Sequence, residues 1–332
     1  MGVVHFLNVK DGDCHVIQHP LGHVSVIDVC NAYLDYETTE TEGVDFSAKS
    51  LGVSGNFNQK ANPENPIDYL ENQGISSVFR FILTHPDMDH MDGIEDFFDE
   101  FPPTNFWDTE NSKEIIDFKK KYKESDWDFY KSLRDNNGDN ITKRLTLYAG
   151  ARNKFFNRNE DGNGGGDGLH VLSPTPELIN QANDKEDWND SSYVILYRTG
   201  ARKILFTGDS HDSTWEHILE NYENDVKDID VLMAPHHGRD SNRNYDFLDV
   251  VNPKLTLFGN AKSKHLAYDK WSNRGLKYIT NNQAGTIILN PDGSDFEVYV
   301  TCKAFAEAYA TQERRNTFFY DKHSAWYLMD II

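Results

Sequence analysis

Three apolar, β-like runs of this chain each end in a turn that carries histidine or aspartate. Residues 78–84 lead into the turn 85–90, residues 203–207 lead into a Gly-Asp turn, and residues 230–234 lead into a Pro-His-His-Gly turn. The ends of strands gather at the edges of a sheet, so such turns can aim their side chains at one point. Three strand ends that deliver these residue types indicate a metal site.

The turn 85–90 supplies the first candidate ligands. His85, Asp87, Asp89 and His90 combine imidazole and carboxylate groups, which are ligands for a borderline cation such as zinc or manganese. Pro86 stiffens the turn. The alternative interpretation is a solvated acidic loop with two incidental histidines, but the two further strand ends downstream argue against it.

The other two turns add a carboxylate and a pair of histidines. Asp209 ends one strand, where it can bridge or complete a metal site, and His236 and His237 end the next. Adjacent histidines on one turn are not expected to face the same point. We therefore expect one of the pair to be a ligand and the other to orient a ligand or face the substrate.

The pattern of elements favours an α/β sandwich. Strand-like segments with short turns fill residues 3–30 and much of the second half, and helical segments lie between them. This order suits four layers, αββα, with mainly antiparallel or mixed sheets. We expect insertions at about 31–65, as a candidate lid loop, and at 108–168, as a helical and loop segment with a helix over 111–135.

The charge balance limits the partners. The 332 residues include 33 Lys and Arg against 54 Asp and Glu, which gives a net charge of −21. This opposes non-specific binding to a nucleic-acid backbone, although bound divalent metals can invert the local potential. Without a membrane-length apolar stretch or a signal-like start, we expect a cytoplasmic protein that does not engage a membrane.

Taken in order, these motifs resemble the metallo-β-lactamase superfamily, and most of all the hydrolase domain of ComEC-type DNA-uptake proteins and its stand-alone relatives. The resemblance implies one domain over residues 1–332. The matching segments are residues 6–13, 26–28, 85–90, 172–174, 189–192, 207–209, 236–238 and 280–287.

Two departures from the common superfamily pattern concern the metal site. Asp87 stands where most members with two metals have a histidine, and residues 189–192 stand where most have a further histidine. The ComEC-like group shares both features. The resemblance therefore implies an asymmetric centre for Zn²⁺ or Mn²⁺, with one firm and one weaker position, and leaves open whether it holds one ion or two.

The resemblance also implies roles for individual residues. Asp89, His90, Asp209 and one of His236 and His237 would form the firm position, and His85, Asp87 and the bridging Asp209 the weaker one. Asp89 or Asp87 would act as general base. The residues expected to orient ligands or face the substrate are Asp13, Asp28, Asn189, Ser192, His211 and His265, the last beside Lys262 and Lys264.

The expected activity is metal-dependent hydrolysis of a phosphodiester, with a nuclease as the first choice. The acidic surface fits a small phosphodiester better than a polyanion. Hydrolysis of esters or lactones remains an alternative, as does a binding or regulatory module that keeps the fold without turnover, because fold alone does not determine substrate.

Overall fold

Two β-sheets face each other across a shared apolar core. The computed structural model describes residues 1–34, 49–118, 121–138, 141–158, 165–261 and 265–331. The first sheet has ten strands in the order β17-β18-β16-β15-β1-β2-β3-β6-β7-β8, and the second has six in the order β14-β13-β12-β11-β10-β9. A separate hairpin pairs β4 with β5.

The strands are β1 Val3–Phe6, β2 His15–Gln18, β3 Val24–Ile27, β4 Lys49–Ser50, β5 Val53–Ser54, β6 Arg80–Ile82, β7 Asn105–Trp107, β8 Lys143–Leu145, β9 Leu169–Ser173, β10 Val194–Thr199, β11 Arg202–Phe206, β12 Val231–Met233, β13 Leu255–Phe258, β14 Tyr278–Thr280, β15 Ile287–Asp292, β16 Asp295–Val300, β17 Phe319–Tyr320 and β18 Ala325–Ile331.

The helices are α1 Pro66–Asn72, α2 Ile94–Glu100, α3 Glu124–Asp135, α4 Pro176–Lys185, α5 Asp212–Val226, α6 Phe247–Val251, α7 Tyr268–Ser272, α8 Asn281–Ala284 and α9 Lys303–Glu313.

Alternation along the strands produces the layers. In β6, Ile82 packs into the core between the sheets, whereas Phe81 packs on the outer side with residues of α1, α2 and α3. In β12, Met233 faces the inner core and Leu232 packs outside with residues of α5, α6 and α7. Successive strand residues point to opposite faces, so both sheets are buried on both sides. The predicted αββα fold with mixed sheets is confirmed.

Parallel pairing brings the candidate turns to one edge of the sandwich. Strands β3, β6, β7 and β8 run parallel in the first sheet, and β11, β12, β13 and β14 run parallel in the second. Asp28 follows β3, the turn 85–90 follows β6, and the turns with Asp209 and His237 follow β11 and β12. Ligands of open parallel sheets gather at such carboxyl ends.

The expected helix over 111–135 is wrong in its first half, because α3 begins only at Glu124. Side-chain hydrogen bonds hold the preceding residues in a non-helical path: the Asn111 side chain accepts from Lys113 N at 3.2 Å, and Asn183 accepts from Ser112 N at 2.9 Å. Polar side chains that bond to nearby backbone compete with helix formation. The 108–168 segment also adds β8 to the first sheet.

The segment 31–65 is only partly described, and residues 35–48 of the candidate lid lie outside the described residues. Its second half packs on the sandwich, where Leu51 N donates to Tyr278 O at 3.0 Å and Ser50 N donates to the Gln283 side chain at 2.9 Å. The lid role and the single-domain assignment stay predictions.

Candidate metal centre

The Asp209 carboxylate lies between two groups of side chains, one on each oxygen. Its Oδ1 is 3.3 Å from His90 Nε2 and 3.6 Å from His237 Nε2. Its Oδ2 is 3.8 Å from His85 Nε2 and 3.4 Å from His236 Nε2. A carboxylate placed in this way can ligate on both sides.

We call the two groups position A and position B. Position A consists of Asp89, His90, His237 and Asp209 Oδ1, and position B consists of His85, Asp87, His236 and Asp209 Oδ2. In position A, ligand atoms of Asp89, His90 and His237 lie within 4.8 Å of one another. Ligand atoms this close to one another could bind the same metal ion.

Several polar atoms of the centre are buried without a hydrogen-bond partner among the described residues: His85 Nε2, His90 Nε2, His237 Nε2 and Asp209 Oδ1. Buried polar atoms are nearly always satisfied, because leaving one unpaired costs about 1–3 kcal/mol. These unpaired nitrogen and oxygen atoms surround one point, where they could bind a divalent cation. Histidine nitrogen and carboxylate oxygen are donors that zinc and manganese both accept.

Both histidines of the turn after β12 face the centre, at different points; which of them is a ligand stays a prediction. Their backbones are left-handed, with φ 55° and ψ 47° at His236 and φ 56° and ψ 12° at His237. Two successive left-handed residues turn the chain sharply and place both rings beside Asp209, one at each oxygen. Such conformations cost about 1–3 kcal/mol each and cluster at functional sites.

Asp28 fixes the ring of His90. Its Oδ2 lies 2.8 Å from His90 Nδ1 and accepts from Thr84 Oγ1 at 2.7 Å, while its Oδ1 accepts from Thr84 N at 2.7 Å. Because the Thr84 hydroxyl donates to Asp28, its oxygen can accept from His85 Nδ1, which lies 3.1 Å away. Both histidines therefore turn Nε2 toward Asp209.

The other two histidines have similar partners. His237 Nδ1 lies 3.1 Å from Asp13 Oδ1, and His236 Nδ1 lies 3.3 Å from His211 Nε2. The structure thus places Asp13, Asp28 and His211 behind the ligand rings, as a metal site requires to hold ring orientation.

The electrostatics of the two positions differ. Burial lowers the pKa of His237, but Asp13 and Asp209 outweigh it and raise the value to about 10. Burial likewise lowers the pKa of His90, which Asp209 and Asp28 raise well above 6.5. At position B, burial dominates and lowers the pKa of His236 to about 4. The histidines of position A therefore lie in more negative surroundings than burial alone would give, whereas burial prevails at His236.

Of the remaining predicted residues, Ser192 is the one that contacts the centre, since its Oγ accepts from Asp209 N at 3.3 Å. Asn189 begins a short 3₁₀ helix, and the neighbouring Asp190 side chain accepts from His211 N and Thr214 N, both at 3.1 Å, at the start of α5. Sequence analysis missed this role of Asp190.

His265 lines a cavity of about 370 Å³ that opens on the centre through His236 and also contains Asp11 and Arg239. Lys262 and Lys264 lie outside the described residues. A larger cavity of about 660 Å³ contains none of the predicted site residues.

Two basic residues of the site were also missed. Arg239 follows the His-His-Gly turn directly, a position that sequence alone could have flagged. Lys113 contacts the Asp87 carboxylate through Nζ. It comes from the 108–168 segment, and no sequence signal links it to the motif.

Comparisons with known proteins found a curated relative and several solved structures. No family model matches the chain. ComE operon protein 3 of Bacillus subtilis is 27% identical over 125 residues, which is 36% of this chain, and the match spans only 15% of that protein's length.

Solved structures with similar folds include the metallo hydrolase Igni18 of Ignicoccus hospitalis, at 12% identity and TM-score 0.48, covering 87% of this chain and 100% of that one. A metallo-β-lactamase of Cronobacter sakazakii is 8% identical with TM-score 0.34, covering 69% and 75%. Human tRNase Z, short form, is 9% identical with TM-score 0.34, covering 80% and 95%. The chain is similar to these superfamily hydrolases in coarse outline and to a segment of ComE operon protein 3 in sequence.

Proposed function

We propose that this protein is a metal-dependent phosphodiesterase. The observation that carries the proposal is the pair of candidate ligand groups on the two oxygens of Asp209, beside a cavity that His236 and Arg239 line. A divalent ion in this donor set would polarise a phosphoryl oxygen and lower the pKa of a water to about 7.

A basic residue in the cavity beside the candidate centre supports an anionic substrate. Arg239 lines the cavity together with Asp11 and Asp240, and Lys60 and Lys121 pair with Asp11. Lys60 Nζ lies 2.9 Å and Lys121 Nζ 3.8 Å from the Asp11 carboxylate. In a chain of net charge −21, an arginine in the cavity beside His236 supports a phosphodiester over a neutral ester or lactone.

The two carboxylates expected to act as general bases have different surroundings, and we propose different roles for them. Burial raises the pKa of Asp89, but His237 and His90 outweigh it and hold the value well below its usual range. Such a carboxylate is a weak proton acceptor and fits a ligand. Asp87 is 36% exposed, so we assign to it the proton of the attacking water.

Nucleic acid is the first substrate class to test, because of the ComEC-like motifs. The net charge of −21 favours small phosphodiesters as the second candidate, since an acidic surface repels a polyanion.

The test compares the purified protein with Asp209→Asn. We expect metal in the wild-type protein by elemental analysis and hydrolysis of bis(p-nitrophenyl) phosphate with Mn²⁺ or Zn²⁺. The variant should lose most bound metal and at least about a hundredfold in kcat/KM, because the buried Asp209 carboxylate faces His90 and His237 of position A.

Asp225→Asn is the matched control, because Asp225 is a surface carboxylate paired with Arg198. It should keep both metal and activity. Activity assays then identify the substrate class, with DNA, RNA, a cyclic dinucleotide and a neutral p-nitrophenyl ester as substrates. Metal-loaded protein inert on every diester would reject the proposal and favour a binding module.

A further inference from the structure

Lys113 places a positive charge inside position B. Its Nζ contacts Asp87 Oδ1, which is itself 3.8 Å from His85 Nε2. We propose that the Lys113 ammonium is the built-in second cation of the centre, so that the protein binds one divalent ion at position A and keeps position B free of metal. This rests on the proposed function in requiring a metal at position A.

The backbone around Lys113 is fixed from several sides. Asn111 accepts from Lys113 N at 3.2 Å, and Arg134 of α3 donates to Lys113 O at 2.8 Å. Ser112 N donates to the Asn183 side chain of α4 at 2.9 Å. Lys113 is thus directed at Asp87 by two helices, and its side chain is only 13% exposed.

An aromatic ring supports the charged form of the lysine. Lys113 Nζ lies 4.9 Å from the centre of the Trp188 ring, whose Nε1 donates to Asn183 at 2.9 Å. An ammonium near an aromatic face is attracted by the ring quadrupole. Trp188 directly precedes residues 189–192, which contribute no histidine to the centre.

Position B lacks a compact ligand set of its own. Among the described residues, the groups whose ligand atoms lie within 4.8 Å are Asp89-His90-His237, His85-His90-Asp209 and Asp13-Asp209-His237, and neither Asp87 nor His236 belongs to them. The carboxylate that would attract a second dication is already neutralised by Lys113. A point charge of this kind remains able to contact a phosphoryl oxygen when substrate enters.

The test counts metal ions rather than turnover. Lys113→Met keeps the apolar stem against Trp188 and removes only the charge. Wild-type protein titrated with Mn²⁺ should bind one equivalent, whereas the variant should bind two, with the second about a hundredfold tighter than in wild type. Electron paramagnetic resonance should show an isolated Mn²⁺ in wild type and a spin-coupled pair in the variant.

Lys121→Met is the matched control. Lys121 also pairs with an aspartate, Asp11 at 3.8 Å, and lies 4.6 Å from the centre of the Tyr122 ring. It does not contact Asp87 in the described structure, so this variant should keep one equivalent.

Two results would overturn the inference while leaving the phosphodiesterase proposal intact: a spin-coupled pair in wild-type protein, which needs no variant, or a folded Lys113→Met protein that still binds one ion. Wild-type protein that binds no metal would instead overturn both proposals.

Discussion

In each histidine of the candidate centre, the two ring nitrogens face different groups. Each of the four candidate histidine ligands has Nε2 toward Asp209 and Nδ1 toward another polar group: Thr84 for His85, Asp28 for His90, His211 for His236 and Asp13 for His237. Residue types that bind a metal are readable in sequence, but ring orientation depends on these outer partners.

Removing the Asp28 charge should weaken metal binding without removing a ligand. In Asp28→Asn, an amide replaces the oxygen that faces His90 Nδ1 and Thr84 Oγ1. We expect about a 10–100-fold loss of metal affinity, measured by competition with a chromogenic chelator. Asp108→Asn is the control, because Asp108 is a buried carboxylate paired with Arg144. Equal metal affinity of Asp28→Asn and wild type would contradict the role.

Arg239 should act on substrate rather than on metal. Arg239→Ala removes a guanidinium from the cavity beside His236 and His265. Because bonds to charged groups contribute about 1.5–3 kcal/mol, KM for a phosphodiester should rise at least about tenfold. The metal content of Arg239→Ala should stay constant. Arg274→Ala is the control, because it removes a surface arginine paired with Asp249, and it should change neither KM nor metal content. A rise in KM for a neutral ester of the same size would refute the charge argument.

At the level of elements, short turns after strands carry the site, and they depend on close backbone packing. Gly238 has φ 84°, and a Cβ built there would lie 2.0 Å from the Phe258 ring. The turn with His236 and His237 can therefore approach β13 only because this residue has no side chain.

Gly238→Ala should both destabilise the protein and disturb the centre. Backbone strain and overpacking together should cost about 2–5 kcal/mol in the free energy of unfolding, measured by urea denaturation of metal-free protein. Gly275→Ala is a matched control, since Gly275 has φ 69° but open space around its Cβ position. It should cost only about 1 kcal/mol. A similar loss of unfolding free energy in both variants would mean that the Phe258 ring moves aside without an energetic cost.

At the level of the whole molecule, the centre links the two sheets. Asp28 and His90 belong to turns of the first sheet, and Asp209 and His237 belong to turns of the second. A bound ion would therefore add a link between sheets that already meet through apolar packing and polar contacts such as the Arg202–Asp295 ion pair. No helix in the described part of the chain is long and apolar enough to cross a bilayer.

Metal removal should consequently lower global stability. Free metal at a thousand times Kd stabilises the native state by about 4 kcal/mol if the unfolded chain does not bind it. Calorimetry should show a lower Tm after chelation, recovery on adding Mn²⁺ or Zn²⁺, and no such response in Asp209→Asn. An unchanged Tm in wild-type protein would argue against an ion that links the sheets.

From the sequence alone, the layered fold and a set of candidate ligands could be predicted. Periodicity marked the strands, and histidines and aspartates at strand ends named residues 85–90, Asp209 and the His236–His237 pair, because both signals are local. Tertiary structure decided what depends on long-range contact. It placed both histidines at Asp209 through two left-handed residues, unwound residues 111–118 through bonds to α3 and α4, and brought Lys113 to Asp87 from 26 residues away. Such contacts depend on how the elements pack, and the local pattern of residues does not contain that information.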